Sequence, residues 1–368
     1  MTDPSRQKLE HEILAWMRED DWRADEARFE RLALALFALQ FERCVPFRRF
    51  CEGRAHTPAG IRSWREIPRV PTAAFKEVAL RSFPTERTVR TFRTSGTSTS
   101  IRGALHLDTL ELYETSLLPS FRHFVLPDLA AGQRARLLVL APSAQEAPDS
   151  SLSHMFSVAT RELGTPDSAC SVEGGELRAE RLLEHLERVS ASEAPIALCG
   201  TAFSFVHLLD AMEGRGIALA LPDSTRVMET GGFKGRSREV SRAELYAQIE
   251  RRLGVPPPRV VNQYGMTELG SQFYDSVLRR PDERRRKLGP PWARVVIVDP
   301  ETGEPAAAGE VGAIAVIDLA NTGSVLALQT EDLGREVEGG FEVLGREAGA
   351  EERGCSIAAD TLLAGPPA

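Results

Sequence analysis

The sequence predicts an α/β fold: a mostly parallel sheet flanked by helices, followed by a small β subdomain. Three observations carry that expectation. Short apolar runs of strand length alternate with helix-period patterns between residues 137 and 261, as a parallel sheet with crossover helices requires. After residue 285 the helical patterns give way to short strands and Gly-containing turns. Of the 368 residues, 42% are hydrophobic and 27% charged, enough apolar material to bury a large core.

The first fifty residues read as a helix pair. Leu9, Ile13, Trp16 and Met17 fall at i, i+4, i+7 and i+8, and Phe29, Leu32, Ala33, Leu36, Phe37 and Gln40 repeat the stripe. Prolines at 46, 58, 68 and 71 break the next segment, and Ala73-Ala74-Phe75-Lys76-Glu77 starts a short helix. Residues 137–140 and 196–199 are buried strands. Leu182, Leu183, Leu186 and Val189 mark one helix face, and Phe205, Leu208, Leu209 and Met212 another. Val227-Met228 and Val260-Val261 are further strand cores. Residues 279–287 form a basic, solvated boundary. Strands follow at 293–298, 309–317, 325–328 and 341–344, with a turn at 299–304. The expected division is an α/β core over 1–285, a β subdomain over 286–345 and a short arm over 346–368.

Composition excludes several classes. Lys and Arg total 45 against 53 Asp and Glu, a net charge of −8, which argues against nucleic-acid binding. No apolar run approaches the length that spans a bilayer, and the first six residues lack an apolar signal region, so a cytoplasmic location is expected. The cysteines at 44, 51, 170, 199 and 355 are odd in number and irregularly spaced, which favours neither a disulfide framework nor a zinc site. The first four sit in apolar or helical contexts and read as core. His123 and His154 read as core or pocket groups and His185 as solvated. No G-x-S-x-G elbow occurs.

Four stretches carry chemistry. Thr94-Ser95-Gly96-Thr97-Ser98-Thr99-Ser100 places six hydroxyls and one glycine in seven residues, a composition suited to phosphate oxygens and equally to a solvated loop. Val260-Val261-Asn262-Gln263-Tyr264-Gly265-Met266-Thr267-Glu268 ends a strand in an aromatic, a glycine, a hydroxyl and a carboxylate. It fits a base, a phosphate and Mg²⁺ in turn, or a strand–turn–helix junction capped by Thr267. Glu229-Thr230-Gly231-Gly232-Phe233-Lys234-Gly235 can wrap a flat ligand or simply connect. Gln329-Thr330-Glu331-Asp332-Leu333-Gly334 reads alone as a turn, and its Asp332 could accept from ribose hydroxyls.

The order and spacing of these stretches resemble the adenylate-forming (ANL) superfamily of acyl-CoA ligases, luciferases and carrier-protein adenylation enzymes. Gly309-Glu310-Val311-Gly312 and the hinge-proximal Gly345-Arg346 extend the likeness. A narrower match lies in Val70-Pro71-Thr72-Ala73-Ala74-Phe75-Lys76, Phe92-Arg93-Thr94-Ser95-Gly96-Thr97-Ser98, the Glu229–Gly235 stretch and Arg353-Gly354-Cys355-Ser356. These are similar to the acyl-protein synthetase (LuxE-type) family.

The resemblance implies a large-domain adenylation architecture and an ATP- and Mg²⁺-dependent ligase. It would join a carboxylic acid, a fatty acid by the family's substrate class, to AMP. Thr94, Ser95, Gly96, Thr97 and Ser98 would hold the β- and γ-phosphates. Thr267 would meet the α-phosphate and Glu268 the Mg²⁺. Thr230, Gly231, Gly232, Tyr264 and Gly265 would line the adenine, Asp332 the ribose, and Arg346 the hinge side. All these segments would converge on one nucleotide. Cys355 would then take the acyl group as a thioester for a partner such as a fatty-acid reductase.

The sequence departs from the superfamily in two places. Thr99-Ser100-Ile101-Arg102 replaces the usual Thr-Gly-x-Pro-Lys, with Arg102 as the stand-in for the lysine. The residues after 346 are also too few for a mobile C-terminal domain. Two other readings stay open on sequence: an acid–CoA or acid–carrier ligase of the phenylacetate-ligase kind, and a non-catalytic nucleotide- or partner-binding subunit.

Overall fold

A computed structural model describes residues 4–95, 101–189, 194–231 and 240–346. The chain forms two compact units. The first holds the residues up to Pro119, the short segment Met266–Gln272, and those from Lys287 onward; the second holds Ser120–Gly265 and Phe273–Arg286. The N-terminal third thus groups with the late β strands, and the chain re-enters the first unit at Lys287.

The first unit opens with α1 (Pro4–Met17), α2 (Glu26–Arg43) and α3 (Val45–Glu52). The Asp25 carboxylate caps α2 by accepting from the Arg28 N–H at 2.9 Å, satisfying one of the orphan donors of a helix start. The predicted stripes are buried: Ile13, Trp16 and Met17 on α1, and Phe29, Leu32, Leu36 and Phe37 on α2. Strand β1 (Val70–Pro71) and the one-turn α4 (Ala74–Glu77) follow. Strands β2 (Arg90–Arg93) and β3 (Ala104–Leu107) then pair as an antiparallel hairpin, and α5 (Glu111–Val125) carries Pro119 within it.

In the second unit the order is β4 (Arg136–Leu140), α6 (Ser151–Leu163), β5 (Ala169–Cys170), β6 (Val172–Glu173), β7 (Glu176–Leu177), α7 (Ala179–Val189), β8 (Ile196–Thr201), α8 (Ala202–Gly214), β9 (Arg226–Thr230), α9 (Arg242–Leu253), β10 (Val260–Tyr264) and β11 (Phe273–Asp275). The sheet runs β11-β10-β9-β8-β4-β5. Only β11 is antiparallel to its neighbour. Leu186, Phe205, Leu209 and Ile249 from α7, α8 and α9 bury against Leu138, Leu198, Val227 and Val260 of the strands. Each such side chain contributes about 1.5–3 kcal/mol of transfer free energy. Gly200 is required by close approach, since a Cβ there would stand 2.8 Å from Leu140 Cβ.

Back in the first unit, β12 (Lys287–Leu288), β13 (Ala293–Val298), β14 (Val311–Asp318), β15 (Ala327–Val337) and β16 (Gly340–Arg346) complete the fold. They run β13-β14-β15-β16-β12, antiparallel throughout, and β1 joins β15 in parallel.

Five expectations need correction. The Gln329–Gly334 stretch is not a turn but the middle of the eleven-residue strand β15. Its polar residues alternate with the partly buried face of a sheet. No helix follows Thr267; the chain turns and returns as the antiparallel β11, so Thr267 caps nothing. The basic stretch 279–287 is solvated only in its first half. Arg286 and Lys287 are buried, and Arg285 donates to Asp275 at 2.5 Å and to the carbonyls of Val260 and Pro257. Cys170 is half-buried, less enclosed than the core position expected of it, and His185 is half-buried rather than solvated.

Candidate functional site

The candidate site residues lie in both units: Thr94, Thr267 and Glu268 gather in the first, where Asp332 and Arg346 form a separate pair, and Thr230 and Tyr264 gather in the second. In the first unit, the β2–β3 hairpin carries the Ser/Thr/Gly loop at its tip. Thr94 closes that loop: its N–H donates to the Gly103 carbonyl at 2.9 Å, and its hydroxyl accepts from the Gly103 N–H at 2.9 Å. Arg102 donates Nε–H to the Thr94 carbonyl at 2.6 Å and Nη2 to the Arg93 carbonyl at 3.3 Å. Its guanidinium therefore braces the backbone at the loop base. Ser95 is exposed beside it. Gly96, Thr97 and Ser98 lie outside the described residues.

Thr267 joins this cluster. Its hydroxyl donates to the Arg93 carbonyl at 3.4 Å, so two motifs 174 residues apart meet at the loop base. Glu268 follows, buried, with its carbonyl accepting from Asn321 Nδ2 at 2.8 Å. The turn that bears them is held by a residue that sequence reasoning missed. The buried Asp318 accepts from the N–H groups of Gly270 (2.9 Å), Ser271 (2.8 Å) and Ala320 (3.0 Å) and from the Ser271 hydroxyl (2.7 Å). Burial pushes its carboxyl up from the usual range, and these four donors oppose the shift. Gly270 fits because a Cβ there would stand 2.7 Å from Ala320 Cβ.

Asp332 lies on β15, half-buried, and pairs in register with Arg346 on β16. Its N–H donates to the Thr330 hydroxyl at 3.2 Å, and that hydroxyl donates to the Ile314 carbonyl at 2.8 Å. The sequence-predicted ribose and hinge positions are thus direct neighbours across two strands.

In the second unit the carboxyl ends of β9 and β10 bring Thr230 and Tyr264 together, with Thr230 opposite Gln263 in register. The Thr230 hydroxyl donates to the Gln263 carbonyl at 3.1 Å and to its side-chain oxygen. Gly231 sits at φ +79°, a left-handed backbone that favours glycine. Gly265 leaves room for Gln263, whose Nε2 would lie 2.4 Å from any added Cβ. Tyr264 is buried, its ring 6.3 Å from Phe273. Behind the strand ends, buried Glu229 accepts from Tyr246 Oη (2.9 Å) and Asn262 Nδ2 (2.7 Å), and the Asn262 N–H donates to Asp275 at 3.0 Å. The only sequence signal for this network was polar residues inside apolar strands. Gly232 lies outside the described residues.

Burial disarms the thiols within the described residues. It pushes Cys44 up to about 11, Cys199 up to about 12 and Cys51 further still, and it raises Cys170 as well. Each shift disfavours the thiolate, the nucleophilic form. Cys355 lies outside the described residues. Among the described residues no helix is long and apolar enough to cross a membrane.

The chain matches the family model described as acyl-protein synthetase, LuxE, over residues 9–363. It belongs to that family. The long-chain-fatty-acid–luciferin-component ligase of Aliivibrio fischeri is 24% identical over 328 residues, covering 88% of this chain and 83% of the relative. Among solved structures, an open conformation of 2-hydroxyisobutyryl-CoA ligase in complex with 2-HIB-AMP and CoA superposes with a TM-score of 0.61. The identity is 14%, and the match covers 90% of this chain and 80% of that one. The same ligase in its postadenylation state with R3-HIB-AMP gives a TM-score of 0.62 at 14% identity, covering 87% and 68%. These neighbours establish the adenylate-forming fold. This acyl-protein synthetase is therefore an ATP-dependent, AMP-forming ligase that activates a carboxylic acid.

Proposed function

We propose that the acid is a fatty acid and that the activated acyl group passes to Cys355 before delivery to an acceptor protein such as an acyl reductase. The fatty-acid class is supported by the name of the A. fischeri relative. The observation that carries the nucleotide assignment is the Thr267–Arg93 hydrogen bond, which joins the Tyr-Gly-x-Thr-Glu segment to the loop base. A carboxylate oxygen attacks the α-phosphorus of ATP and pyrophosphate leaves. Such chemistry asks the protein for positioning and charge neutralisation.

Thr94 through Ser98 would serve the β- and γ-phosphates, Thr267 the α-phosphate, and Asp332 the ribose, with Arg346 at the hinge. Thr230, Gly231, Gly232, Tyr264 and Gly265 would serve the adenine. Glu268 would bind Mg²⁺ together with phosphate oxygens, the donor set this ion takes in nucleotide sites. Among the described residues no group of three or more His, Cys, Asp or Glu could hold a metal ion, so Glu268 would act there only alongside the nucleotide. The acyl-adenylate is a mixed anhydride, and a thiolate displaces AMP from it. Full burial of Cys44, Cys51 and Cys199 and the raised pKa of the half-buried Cys170 support Cys355 as that thiolate.

A radiolabelled fatty acid tests the reading. Acid-dependent exchange between ATP and pyrophosphate should persist in Cys355→Ala, and covalent acyl labelling of the protein should vanish. Labelling that survives the substitution refutes Cys355 as acceptor. Acyl-CoA released to solution would instead make the protein an acid–CoA ligase, and no exchange with any acid would make it a nucleotide- or partner-binding subunit.

A further inference from the structure

We propose that Lys76 is the cation that neutralises the departing pyrophosphate, a role no motif assigned here supplies. The inference rests on the adenylation reading above. The Ser/Thr/Gly loop has no lysine, and Arg102 is bonded to the carbonyls of Arg93 and Thr94. Lys76 belongs to the Val70–Lys76 stretch, which the nucleotide assignments leave unused. It is half-buried and, among the described residues, has neither an ion pair nor a side-chain hydrogen bond. Its stem is partly buried, and an anionic ligand would give its ammonium a partner.

Its placement points to which anion. A Cβ at Gly103 would stand 3.4 Å from Phe75 Cβ and 3.5 Å from the Phe75 carbonyl carbon. The Phe75–Lys76 peptide therefore runs against the base of the loop that Thr94 and Gly103 close. Standard backbone bond lengths then put the Lys76 Cα within about 6 Å of the Gly103 Cβ position. At its other end the same segment is tied to β15. Val70 and Pro71 pair with Leu328 and Gln329, and the Thr72 N–H donates to the Gln329 carbonyl at 2.9 Å, three residues before Asp332. The segment thus touches the loop base at Gly103 at one end and the strand that carries Asp332 at the other, and Lys76 extends from it on a flexible four-carbon stem.

In the step itself a bond forms between the carboxylate oxygen and the α-phosphorus, and the bond from that phosphorus to the bridging oxygen breaks. The electron pair leaves with pyrophosphate, which gains negative charge. A cation that meets that charge as it develops stabilises the transition state more than the bound ground state.

The test is acid-dependent ATP–pyrophosphate exchange in Lys76→Met and Lys76→Arg, with the melting temperature of each. Removing the charge should slow exchange by about 10²–10³-fold, with the acid KM and melting temperature at wild-type values. Arginine should recover at least a tenth of the rate. Should the methionine variant melt early, Lys76→Gln and the arginine variant decide. Exchange in Lys76→Met within threefold of wild type overturns the proposal. So do methionine and arginine variants that fold and are equally inactive, because charge is then not what matters. Absence of exchange in the unmutated protein is seen before any substitution, and it overturns the adenylation reading together with this inference.

Discussion

Replacing Asp318 by asparagine tests whether its buried carboxylate holds the Thr267–Glu268 turn. Four donors converge on its two oxygens, two on each. An asparagine keeps one oxygen and turns an NH₂ group toward the other pair. Two donors then lose a charged acceptor, at about 1.5 kcal/mol each or more. Removing a buried charge returns part of that loss, which leaves a net cost of about 2 kcal/mol. For a unit of this size the melting temperature should drop by about 4–8 °C. The assay is thermal unfolding followed by circular dichroism, with ATP–pyrophosphate exchange measured well below the transition. Exchange should weaken in that variant, because Gly270 and Ser271 lie only two and three residues after Glu268. Ser271→Ala, which removes one hydroxyl donor and leaves the two N–H bonds to the same turn, should cost about 1 kcal/mol. An Asp318→Asn protein that melts at or above the wild-type temperature with normal exchange would refute the reasoning, since charge burial would then outweigh the hydrogen bonds.

Two further outcomes follow from the second unit. Gly265→Ala should raise the KM for ATP with little loss of stability, because the new Cβ displaces Gln263 and breaks its bond with Thr230; an unchanged KM would show that this pair does not shape the nucleotide site. Burial lowers His123 to about 4, with Arg279 adding to the effect. The folded protein therefore binds fewer protons than the unfolded chain between about pH 6.5 and 4. Stability from this group is present above pH 6.5 and is lost as the pH falls through that window. His123→Gln should flatten the fall in urea midpoint between pH 7 and pH 5 relative to wild type, and an unchanged slope would count against the assignment.

The sequence exposed those parts of the fold whose signal is local. The runs at 137–140 and 196–199 and the stripes of α1, α2, α7 and α8 are set by burial periodicity, and all became the elements expected of them. The motifs proposed for the nucleotide are short contiguous strings and stand out for the same reason. What stayed hidden is polar and long-range. Asp318, Asn321, Glu229 and Asn262 find partners 33 to 53 residues away, and no periodicity announces such pairs. The middle of β15 was missed because Gln329, Thr330, Glu331 and Asp332 have turn composition, and only pairing with β14 and β16 makes them strand. Arg285 looked solvated because a charge run carries no sign of the carbonyls of Val260 and Pro257 that receive it.

The discontinuous first unit bears on how the protein is made. Gln40 of α2 receives the Leu326 N–H and donates to the Asn321 carbonyl, and Val70 pairs with Leu328. A nascent polypeptide grown to residue 286 has every strand of the inserted unit. The late partners of Gln40 and Val70 are still to come. They arrive only after the whole of the intervening translation, which marks the amino-terminal segment as the part where chaperone dependence and aggregation in overexpressing cells should concentrate.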